Sequence, residues 1–158
     1  MKKLVLLFVG LTLISCSKSE DDQNSDDTPF LEKYDGYGFE SIGESADEYF
    51  FINNSIEFLK YVDIDTREDD NGDDRVYCEI YREGTFPGGE DGDVTISIIS
   101  NNSTSLTVSI IYGGSENIVT LSVDSTGSTL TVTSNNDEGG DIRTFTKTNV
   151  IFTSLGCQ

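Results

Sequence analysis

The chain has 158 residues, with 10 Lys+Arg against 29 Asp+Glu and a formal net charge of -19. That length suffices for one domain with a core, and that charge repels nucleic acid, whose phosphates require clustered cations. The sequence holds no His and no Trp, which excludes a Ser-His-Asp triad, a Cys-His pair and His-ligated zinc or haem, and leaves carboxylate-based glycan hydrolysis as the enzyme class still comfortably open.

Lys2 and Lys3 precede an apolar run over 4–14. The run is too short to span a bilayer and suits an export signal. It ends Leu13-Ile14-Ser15-Cys16, which resembles the bacterial lipobox, where small residues precede a cysteine that is acylated and becomes the mature N-terminus. The resemblance makes 1–15 a lipoprotein signal peptide and Cys16 the lipidation site. It also implies two or three acyl chains, enough for stable anchoring. Residues 17–27 carry no apolar side chain, so 16–27 reads as the lipidated Cys followed by an acidic, disordered tether, with a span of roughly 20 Å. The run Ser17-Lys18-Ser19-Glu20-Asp21-Asp22 resembles the export signal that sends Bacteroidetes lipoproteins to the cell surface. The expected location is therefore the outer membrane, exposed at the cell surface, with the membrane as partner through the lipid.

The remaining residues, 28–158, read as one β domain. Thr28 and Pro29 before 30–35, with Gly36 after, predict a short N-terminal helix. Candidate strands follow at 37–41, 47–53, 56–64, 75–83, 93–100, 105–112, 117–124, 128–134 and 141–148, separated by turn pairs such as Asn53-Asn54, Asn71-Gly72 and Gly113-Gly114. From residue 94 onward the period-2 pattern is clean. Val94, Ile96, Val108, Ile110, Val119, Leu121, Leu130 and Val132 fall on one face, and Thr and Ser fall on the other. A half-buried antiparallel sheet follows, because parallel pairing would need longer crossovers. The fold class is all-β, an up-and-down meander of about eight strands closed as a barrel, with a β-sandwich as the alternative. The run Phe30-Leu31-Glu32-Lys33-Tyr34-Asp35-Gly36, together with the closing pair of strands around Leu130-Thr131-Val132-Thr133 and Thr144-Phe145-Thr146-Lys147, resembles small flavobacterial lipoproteins with a lipocalin-like domain. Those proteins often carry a Trp soon after the Gly, where this chain has Phe39. The resemblance implies an eight-stranded barrel and an address, but no activity.

The oxygen-rich run 63–74 could ligate Ca²⁺ through Asp69, Asn71 and Asp73, but Arg67 and the position of Gly72 break the EF-hand spacing. It reads as a hairpin loop, and no metal or cofactor is expected. With Cys16 lipidated, Cys78 and Cys157 remain; in an exported protein they either form a disulfide or leave one buried thiol and one free thiol in the tail. Cys78 shares a face with Val76 and Ile80, which their apolar character assigns to the interior. Asp124-Ser125-Thr126 resembles the acceptor pattern of Bacteroidetes O-glycosylation, with Ser125 as the acceptor and a plain turn as the alternative. No pair of acidic residues stands out on inward strand positions. The expected function is a surface-anchored, non-enzymatic barrel binding a small apolar or amphipathic ligand, or a partner. A structural or shielding role is second and a carboxylate-based glycan hydrolase third. The eight aliphatic residues just named are the candidate ligand lining, and they would serve a filled core equally well. Oligomeric state is not legible.

Overall fold

The structure is a computed structural model and describes residues 27–44, 46–65, 75–88, 92–136 and 139–157. The signal peptide, Cys16, the tether up to residue 26, and the calcium candidates Asp69, Asn71 and Asp73 lie outside the described residues.

A one-turn helix, α1 (Phe30–Lys33), precedes ten strands: β1 (Gly38–Ile42), β2 (Ala46–Ile52), β3 (Glu57–Asp65), β4 (Arg75–Arg82), β5 (Gly84–Phe86), β6 (Val94–Asn101), β7 (Ser105–Tyr112), β8 (Ser115–Val123), β9 (Thr129–Asn136) and β10 (Gly139–Thr148). A short 3-10 helix, Phe152–Leu155, ends the described chain. All ten strands belong to one antiparallel sheet in the order β4-β3-β2-β1-β10-β9-β8-β7-β6-β5. Pairing of β1 with β10, with Phe39 opposite Lys147, joins the two halves of the meander and curls the sheet into a nearly closed barrel. The two edges, β4 and β5, are consecutive in the chain but not paired, so the barrel has one seam.

The expectation of about eight strands in a closed barrel is corrected to ten in a nearly closed one, and a single sheet replaces the sandwich alternative. The strand absent from the candidate segments is β5. It has three residues, paired with β6 from Gly84↔Ile96 to Phe86↔Val94, and three residues are too few to display alternation. The tight turns behave as their glycines dictate. Gly113 and Gly114, at φ 57° and 86°, join β7 to β8 through two residues of positive φ, which Gly adopts without a Cβ penalty.

Burial divides the barrel along its axis. At one end α1 plugs the interior. Phe30 and Leu31 pack with Phe39, Leu106, Leu130 and Phe145, and the Leu31 amide donates to Asn101 Oδ1 at 3.1 Å. Phe30, Phe39, Leu106 and Leu130 are all 0% exposed, so this end is filled. A second, smaller cluster lies on the outside of the sheet, where Tyr49, Phe51 and Val62 pack with Cys157, Val150, Phe152 and Leu155 of the C-terminal segment. Cys78 on β4 is bonded to Cys157, with Cα atoms 6.0 Å apart. This overturns the assignment of Cys78, Val76 and Ile80 to the interior. They are exposed on the outer face, Val76 at 43% and Ile80 at 37%, because Cys78 stands opposite Val62 under the C-terminal segment.

Candidate functional site

Towards the end away from α1 the interior is not filled. A cavity of about 150 Å³ lies between Phe50 and Leu59 on one side and Val108, Val119, Leu121 and Val132 on the other. Tyr61, Tyr81, Asn117, Ser134 and Arg143 supply its polar wall. A larger hollow of about 550 Å³ opens along the seam, walled by Glu79, Phe86, Val94, Ile96 and Tyr112 among others. Tyr81, Ile110 and Asn117 line both, so the cavity and the seam adjoin.

Of the candidate lining residues, Val108, Ile110, Val119, Leu121 and Val132 border the cavity, and Val94 and Ile96 border the seam hollow. Leu130 belongs to the filled end, packed at 0% exposure in the core around α1. Ser125 lies in the exposed turn between β8 and β9, where Asp124 accepts from the Ser128 amide at 2.8 Å and from the Thr126 hydroxyl. Those hydrogen bonds, the Ser128 amide first, hold the Asp124 carboxyl below its ordinary pKa. Among the described residues, no group of three His, Cys, Asp or Glu side chains could hold a metal ion.

The polar wall is a bonded network. Glu48 on β2 accepts from the Tyr61 hydroxyl on the adjacent strand and from Arg143 on β10, and the Arg143 Nε reaches Asp141 at 3.3 Å. On the seam side the Tyr81 hydroxyl donates to Glu79. Burial, reinforced by the carboxylate that accepts its proton, pushes each of the two phenols far above its ordinary pKa. For Arg143, burial works against the charge, but Glu48, Tyr61 and Asp141 more than offset it and the pKa rises. Asn117 Oδ1 is buried and accepts no hydrogen bond, an arrangement that costs about 1–3 kcal/mol when nothing compensates it.

Alternation in the sequence does not reveal one inward carboxylate, Glu48, which pairs with Arg143, while Asp141 reaches the same guanidinium from a mostly exposed position. The reason lies in β2, where Tyr49, Phe50, Phe51 and Ile52 are all buried. The C-terminal segment covers the outer face of that strand, so hydrophobicity there does not alternate and the phase that points Glu48 inward is masked.

No family model matches this chain, and neither a curated protein nor a solved structure matches it.

Proposed function

We propose that this chain is a surface-anchored lipoprotein whose lipocalin-like barrel binds one small amphipathic ligand without chemical turnover. The observation that carries the reading is the half-filled interior, in which an aliphatic floor of Val108, Val119, Leu121 and Val132 meets a polar wall around Asn117 and Arg143. A ligand needs an apolar tail for the floor and a polar head for the wall. Pockets of this composition fix a guest through a few polar groups while apolar burial supplies the affinity. A guest hiding about 200 Å² of apolar surface gains roughly 5 kcal/mol gross, and immobilisation offsets part of it, so affinity in the micromolar range follows.

The test is calorimetry of the purified full chain with octan-1-ol, a neutral probe with one polar atom. One-to-one saturable binding is expected. Ile110→Asp should abolish it while the fold survives, since Ile110 borders the cavity and is only partly buried. Leu130→Asp should unfold the domain. Absence of saturable binding by octan-1-ol and by its charged analogues alike, or binding unchanged in Ile110→Asp, overturns the reading. It would favour the second one, a structural or shielding protein, which draws support from the fully packed end around Phe30, Phe39 and Leu130.

A further inference from the structure

The charge around the cavity is lopsided. Arg143 is the one charged residue in the cavity wall, Glu48 and Asp141 already engage it, and Glu79 adds a further carboxylate in the adjoining seam hollow. Both tyrosine hydroxyls spend their protons on carboxylates, Tyr61 on Glu48 and Tyr81 on Glu79. The Tyr81 hydroxyl therefore faces the cavity as an acceptor, whereas the Tyr61 hydroxyl is also engaged by Arg143. Asn117 adds a buried oxygen with no donor, at the point where the cavity meets the seam. An added anion would meet repulsion and find its natural partner, Arg143, occupied. An added cation with N–H groups would meet attraction and fill the vacant acceptor, and such charge effects are strongest where water is partly excluded.

We propose that the barrel selects a cationic amphiphile, a primary ammonium on a short apolar chain, with the ammonium donating to Asn117 Oδ1 beside Glu79 and the tail lying on Val108, Leu121 and Val132. The inference rests on the cavity being a ligand site and specifies which ligand class it takes. It runs against simple fatty acids as ligands.

Octylammonium, octan-1-ol and octanoate, compared by calorimetry on the full chain below their aggregation concentrations, separate the possibilities. Octylammonium should bind one-to-one and at least about tenfold more tightly than octanoate. A chain of net charge -19 attracts any cation weakly, so two variants report whether the site is responsible. Glu79→Gln, on the exposed edge strand, should weaken octylammonium several-fold, and Asn117→Leu should remove its advantage over the alcohol. If Asn117→Leu does not fold, Asn117→Asp serves instead and should tighten octylammonium while weakening octanoate. Octanol binding with octylammonium no better than octanoate overturns this inference and leaves the ligand reading standing. A preference for octylammonium that both variants leave unchanged reduces it to surface attraction and overturns it as well. Failure of all three probes removes the ligand reading itself.

Discussion

At the level of single residues, the site is built from side chains two positions away from recognisable core residues. Glu48 precedes Phe50, Asn117 precedes Val119, and Arg143 precedes Phe145, each by two. Successive side chains in a strand alternate between faces, so each of these polar groups shares the inner face with its apolar neighbour. That signal is present in the sequence for Asn117, where alternation is clean, and is blurred for Arg143 by the exposed Ile142 beside it. Hydrophobic character alone does not reveal it, because it marks the aliphatic residues of the lining and passes over the polar ones. Tyr61 and Tyr81 were hidden for another reason: an amphipathic ring suits either face. Their burial has a measurable consequence. The folded chain keeps both phenols protonated, whereas in the unfolded chain they ionise near the ordinary value of 10.0. Above pH 10 the unfolded state thus binds fewer protons, and stability falls as pH rises, by roughly 1 kcal/mol per phenol at pH 11. Urea unfolding between pH 8 and 11 should show this loss in the native protein and a flatter alkaline limb in Tyr61→Phe/Tyr81→Phe. Parallel limbs would mean that the two phenols titrate alike in both states.

At the level of elements, legibility tracked how each face of the sheet is covered. From β6 to β9 one face is interior and the other meets solvent, and there the register pairs Val108 with Ile98 and Val119, and Leu121 with Val132, as the period-2 pattern predicts. Across β2 and β3 the outer face is covered too, by Val150, Phe152 and Leu155. Two-sided burial erases alternation, so inner and outer residues could not be told apart from 47 to 64. The segment that causes this has no periodicity of its own. Phe152 stacks edge-on to Phe51 at 5.8 Å, with Lys60 Nζ 4.8 Å from its ring centroid, contacts visible only once the fold brings them together. The bridge from exposed Cys78 to Cys157, 79 residues apart in sequence, ties the segment to the sheet in addition to this packing. Closing a loop of that length stabilises by ~4–5 kcal/mol on the chain-entropy model. Cys157→Ser should therefore lower unfolding free energy by several kcal/mol, beyond the loss of one small buried side chain. Alkylation of the unfolded, unreduced protein should label neither Cys78 nor Cys157. Labelling of both would show that the segment is held by packing alone.

At the level of the whole molecule, the proposed reading assigns holding to the barrel and anchoring to the segment before it. The barrel has a filled end, an open end and a seam, and among the described residues no helix is long and apolar enough to cross a membrane. The net charge of -19 also opposes adsorption, because anionic headgroups repel an acidic surface and draw in only clustered Lys and Arg. The membrane address proposed above rests on the segment before the domain, where the lipobox-like Leu13-Ile14-Ser15-Cys16 stands. Each buried CH₂ of an acyl chain contributes about 0.8 kcal/mol, one chain anchors only marginally, and two or three hold stably. On this account a single sulfur atom decides between membrane and aqueous phase. The native protein, expressed in a bacterium that processes lipoproteins, should enter the detergent phase on phase separation, and high salt should not release it. Cys16→Ser should enter the aqueous phase with its barrel intact, as judged by far-ultraviolet circular dichroism. A variant that stays with detergent would place the anchor elsewhere in the chain, and a native protein that high salt strips from membranes would replace lipid with charge as the means of attachment.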